Sequence, residues 1–97
     1  MSIFNQAVKK HFTKLKFFTI AITRAHGDNH PEVFEVRKLF KAINKKIKKS
    51  KADKPNLDEE FNQLRKVTDN YLIPGDACEA YKSTYQMLEE VDKAYQA

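Results

Sequence analysis

Residues 4–25 read FNQAVKKHFTKLKFFTIAITRA, and this stretch decides the fold class. Phe4, Val8, His11, Leu15, Phe18, Ile22 and Ala25 recur in steps of four and three, which return to one side of a helix with about 3.6 residues per turn. No glycine or proline interrupts them, so a long amphipathic helix is predicted over 3–26. Gly27 closes it. Asn29 or His30 then precedes Pro31, a residue suited to a first helical turn because its missing N–H would have no partner there. A second helix is predicted over 31–50, burying Val33, Val36, Phe40, Ile43 and Ile47 and fading into lysines that suit its negative end.

The remaining chain repeats the pattern. Asn56 and Glu59 have capping-box spacing, and Asp58, Glu59 and Glu60 sit where a helix end is positive. The third helix is expected over 57–71, with Leu57, Phe61, Leu64, Thr68 and Tyr71 inward. After the break at Pro74 and Gly75, Asp76 and Glu79 repeat the spacing and launch a fourth helix over 76–96, whose stripe is Ala77, Tyr81, Thr84, Leu88, Val91 and Tyr95. Four such helices with short connections bury their stripes most simply as one all-α domain over 1–97, an antiparallel up-down-up-down four-helix bundle.

With 97 residues the chain has room for one core and not for a second, cofactor-binding lobe. No apolar run reaches the roughly 18 residues of a membrane span, and Met1 leads into a mixed polar sequence without a signal-peptide core, so a cytoplasmic protein is expected. The net charge of +5 is unevenly spread: Lys and Arg outnumber Asp and Glu by 14 to 4 up to Asn56 and are outnumbered 4 to 9 after it. Attraction between the halves accounts for part of this. The basic first half also suits an anionic partner.

No set of residues predicts catalysis. His26 and His30 flank the Gly27 turn, His11 lies about four turns away, and the one cysteine belongs to the fourth helix, which falls short of the ligands a structural metal needs. Neither an enzyme nor a cofactor is expected. His11 reads as a core-edge residue with a satisfied hydrogen bond, and Cys78 as a small packing residue. The run Lys45, Lys46, Lys48, Lys49, Lys51 and Lys54 is the main surface signal, suited to anionic membrane or an acidic protein face. It contains no aromatic and no arginine, so nucleic acid is not expected. Phe17 and Ile20 project opposite the first helix's core stripe. Either the chain after Ala94 covers them, or they meet a partner or a second copy in a homodimer.

Two resemblances follow. The segments His26-Gly-Asp-Asn-His-Pro-Glu32 and Thr68-Asp-Asn-Tyr-Leu-Ile-Pro-Gly-Asp-Ala-Cys-Glu-Ala-Tyr81 resemble, in order, turn segments of the hemerythrin-like domain of iron-sulfur cluster repair proteins. That family holds two irons with histidines and glutamates near the other end of its bundle. Here Ser50 and Lys54 stand at the spacing of its first His-x-x-x-Glu pair, the chain stops at Ala97 before a second, and Asn5 and Val8 lie where a ligand histidine is sought. The resemblance therefore implies a metal-free interaction module.

Size, basic charge and element order are similar to bacteriocin immunity proteins of the enterocin A type. That resemblance implies a non-enzymatic protein protecting a Gram-positive producer cell by binding a permease, or bacteriocin-receptor complex, at the inner membrane face. The lysine run would meet the anionic lipid. Tyr81, Tyr85 and Tyr95 of the fourth helix would help recognise the protein partner.

Overall fold

A computed structural model describes residues 2–51 and 54–97. Four helices appear in the order α1 (Ile3–His26), α2 (Glu32–Lys49), α3 (Asp58–Val67) and α4 (Glu79–Gln96). Ser2 begins α1 by accepting the Asn5 N–H at 3.0 Å. Neighbouring helices run antiparallel: the start of α1 meets the end of α4 through Phe4 and Tyr95, and the end of α2 meets the start of α3 through Lys46 and Glu60. α1 packs directly on α2 and α4, and α2 on α3. α3 and α4 meet chiefly through long side chains. The result is the all-α antiparallel bundle that the sequence predicts, and no described helix is long and apolar enough to cross a membrane.

Most of the expected core is in place. On α1, Phe4, His11, Leu15 and Ile22 are buried, joined by Phe12 and Thr19; Val8 and Phe18 are half-buried, and Ala25 is exposed. On α2, Val33, Val36, Phe40 and Ile43 are buried with Leu39 added and Ile47 only half-buried, and Phe12 and Phe40 pack edge to face at 5.0 Å between centroids. α4 buries the widest stripe, adding Tyr85, Met87 and Asp92 to the predicted Tyr81, Thr84, Leu88, Val91 and Tyr95, while Ala77 lies ahead of the helix and is half-buried.

The helix starts differ from their capping signals. Asn56 Oδ1 accepts from Asp58 N at 3.2 Å, a side-chain turn one residue short of a capping box. The stronger support comes from Tyr95, whose hydroxyl accepts the Leu57 N–H at 2.7 Å and donates to Asp58 Oδ1 at 2.7 Å. This occupies one of the N–H groups that a helix start leaves unpaired. α4 begins three residues later than predicted, because Asp76 turns its carboxylate towards another connection and Cys78 takes the capping position.

α3 ends at Val67 rather than Tyr71, since Asp69, Asn70 and Tyr71 all take left-handed φ of 53°, 58° and 62°. Asn70 N donates to Arg65 O at 2.7 Å and Asp69 N to Lys66 O at 3.4 Å, the paired closure of a Schellman motif. Asp and Asn tolerate that conformation; tyrosine does so at a cost. Its cost is offset by burial of the ring and by bonds from Tyr71 N to Thr68 Oγ1 and from Tyr71 Oη to Asp92 Oδ2, both 2.8 Å.

Asp92 is 4% exposed and also accepts from Arg65 Nη1 at 2.7 Å. Replacing it removes the partner of a cation and of a buried hydroxyl together. Asp92→Ala should therefore cost about 3 kcal/mol of unfolding free energy in urea, the lower end of the range for buried pairs because Arg65 keeps 32% of its side chain in water. A loss under about 0.5 kcal/mol, the scale of an ordinary surface substitution, would show that the network is dispensable.

Candidate functional site

Two regions concentrate polar chemistry. The first lies at the bundle end where residues 27–31 and 68–78 connect the helices. His30 stands between two carboxylates: Nε2 is 2.9 Å from Asp76 Oδ1, and Nδ1 is 3.3 Å from Glu32 Oε2. Carboxylate oxygens only accept, so both contacts are complete only when His30 is an imidazolium. Its bond to Asp76 raises the His30 pKa against the opposing effect of burial, and the same bond holds the Asp76 carboxyl below its ordinary value. Beside them His26 Nε2 lies 3.2 Å from Cys78 Sγ. The ring of Tyr81 meets His26 and His30 edge-on, at centroid distances of 4.9 and 5.6 Å.

The side chains here differ from expectation in two respects. Cys78 is exposed and faces a histidine, because α4 starts at Glu79 and leaves the thiol ahead of the packed stripe. His26 and His30 do converge, through the second connection and not through one helix pair. Even so, among the described residues no group of three or more His, Cys, Asp or Glu side chains is arranged to hold a metal ion.

His11 is buried at 5% exposure with Nε2 only 2.9 Å from Glu90 Oε2. Neither ring nitrogen makes a hydrogen bond among the described residues, so the contact with Glu90 is one of charge and proximity and the expected satisfied hydrogen bond is not made. Burial pushes the Glu90 carboxyl up, but the charges of His11 and Lys10 outweigh it and hold it below its ordinary value.

The second region is the basic side. Lys45, Lys46, Lys48, Lys49, Lys51 and Lys54 are all exposed, yet they do not form one patch. Lys46 pairs with Glu60 of α3, and Lys54 lies 4.8 Å above the Tyr95 ring. Lys45, Lys48 and Lys49 instead line a cleft of about 460 Å³ between α2 and α1. Three cations absent from the predicted set complete it: Lys41 and Arg37, one and two turns earlier on α2, and Lys16 on the α1 wall. Phe40 forms part of the lining, and Arg37 Nη1 is steadied by Thr19 Oγ1 at 3.2 Å. Among the described residues, none of these six cations makes an ion pair. Their signal was present in the sequence: Arg37, Lys41, Lys45 and Lys48 recur in steps of four, four and three on one face of α2.

The tyrosines expected to recognise a partner are core residues. Tyr81, Tyr85 and Tyr95 are 0%, 2% and 5% exposed, because α4 is the most deeply packed helix and these positions lie on its inner stripe. Burial pushes the hydroxyls of all three upward. Phe17 is exposed as expected, Ile20 is half-buried, and the residues after Ala94 lie near Ile3 at the opposite end of α1, so they do not cover the pair. Phe34 and Leu72 are further exposed apolar side chains.

Stability should follow the ionisation of the His30–Asp76 pair. The histidine's contribution is full below its ordinary pKa of 6.5 and is lost as pH rises through the raised value. The aspartate's is full above 3.8 and is lost as pH falls through the lowered value. The melting temperature should therefore fall as pH rises from 6.5 through the raised histidine value, and Asp76→Asn should flatten that fall. Equal pH dependence in the two proteins would remove the pair as its cause.

Comparison of the chain with protein-family models, with curated proteins and with solved structures gives no match.

Proposed function

We propose that the chain is a metal-free interaction bundle of the hemerythrin-like, repair-protein type, acting by binding and not by catalysis. One observation carries this reading. The two segments resembling that family, 26–32 and 68–81, meet at one bundle end through His30 with Asp76, His26 with Cys78, and the ring of Tyr81 against both histidines. The similarity was found along the chain, and contact between the segments is a separate property. Asn5, Val8, Ser50 and Lys54 stand where that family's ligands would be sought, and none offers an imidazole or a carboxylate.

A second reading is an immunity protein of the enterocin A type, binding a permease at the inner membrane face. The unpaired cations along α1 and α2 favour it, since they suit anionic lipid. It retains the basic face and loses its recognition tyrosines to the core.

Protein purified from iron-supplemented cells should contain far less than one iron per chain by elemental analysis. About two per chain, the content of a di-iron bundle, would overturn the metal-free reading. Expression in a bacteriocin-sensitive strain separates the two readings: unchanged killing across a class II panel is expected, whereas protection would put the immunity reading first.

A further inference from the structure

The α1–α2 face carries two features that packing does not require, a line of cations with no ion pair among the described residues and an exposed aromatic ring at its end. We infer that this face binds single-stranded nucleic acid, with the sugar-phosphate backbone along the α2 cations and a base stacked on Phe34.

Phe34 is 57% exposed, but its ring is not loose: a Cβ added to Gly27 would lie 2.6 Å from Phe34 Cζ. Gly27 has ordinary right-handed φ of −58°, so its lack of a side chain matters here as space for that ring. One flank of the ring is backed by the turn, leaving the remainder for contact. Phe34, Arg37 and Lys41 border a shallow depression that shares Arg37 and Lys41 with the larger cleft. Platform and cations thus form one continuous surface.

Along α2, successive steps from Arg37 through Lys41 and Lys45 to Lys48 rise by about 6, 6 and 4.5 Å, a ladder that an extended phosphodiester chain can follow. Lys16 supplies charge from the opposite wall. Nothing acidic on α1 opposes it, and the acids of α2 are Glu32, already engaged by His30, and Glu35. A charged groove tracking phosphates beside an aromatic face for bases is the recurring arrangement of single-strand binders. The lysine run alone lacked both an arginine and an aromatic; the folded face adds Arg37 and Phe34.

The shape discriminates among anionic partners. A bilayer is flat and would meet projecting side chains before a cleft of about 460 Å³. A duplex keeps its bases stacked inside and leaves the Phe34 ring unused. The inference does not draw on the turn-segment resemblance, so iron content leaves it untouched.

Fluorescence anisotropy with labelled 12-nucleotide oligo-dT and oligo-rA tests it. Binding is expected at about 50 mM salt and should weaken about 50-fold by 200 mM, as for roughly four neutralised phosphates. Phe34→Ala should weaken binding about ten-fold with the salt slope unchanged. Lys41→Gln combined with Lys45→Gln should reduce that slope by about 1.4. Lys82→Gln on α4 should have no effect, and circular dichroism of each variant verifies the fold. No binding at low salt, binding indifferent to Phe34→Ala, or displacement by phosphatidylglycerol vesicles but not by unlabelled oligonucleotide would each overturn the inference.

Discussion

A carboxylate at 4% exposure has to be met by donors, and much of this molecule's geometry follows from how Asp92 is met. Arg65 reaches it from α3, and Tyr71 reaches it from the connection beyond. For Tyr71 to do so the chain must reverse at once after Val67, which it does through three left-handed residues. That reversal sets the path of 72–78, and with it the positions of Asp76 and Cys78 opposite His30 and His26. The interior ion pair and the contact between the two connections are thus parts of one chain of constraints. Such a pair is not a source of large net stability. Its effect is to make other arrangements costly, since each would strand a charge.

Charge is distributed by a separate logic. α1 contains no acid and α2 contains two, whereas α3 opens with three. Lys46 with Glu60 and Lys10 with Glu90 join the halves at two seams, so part of the asymmetry is internal attraction. Among the described residues, Lys16, Arg37, Lys41, Lys45, Lys48 and Lys49 on the α1–α2 side are left without an ion pair. Like charges held along one face repel one another, and a bound anion relieves that repulsion.

The helices and most of their inner faces were legible because steps of three and four leave few alternatives in a chain with two glycines and three prolines. The inward set predicted for α3, Leu57 to Tyr71, is buried throughout even though the last of its residues lie beyond the helix. Periodicity registers which residues face inward without registering where the backbone leaves the helix. Capping signals were less reliable: Asn56 and Asp76 have the right spacing, but another element competed for each role. Tyr95 supports the α3 start, and His30 claims Asp76. Among the candidate site residues, Phe17 and the lysines are exposed as read, while Tyr81, Tyr85 and Tyr95 are buried because aromatic rings with a polar tip suit core and surface alike.

The sequence by itself determined the number of helices, their faces and the separation of charge, because each is written in spacings of a few residues along one chain. Only the tertiary structure decided which distant groups meet: Arg65 and Tyr71 on Asp92, His30 on Asp76, and Lys16 across from Lys41. Those pairings depend on how helices are juxtaposed and how tightly their connections turn. The physical reason is that local propensity acts over a turn or two of backbone, while pairing a buried charge or closing a cleft requires partners that come together only when the whole bundle forms.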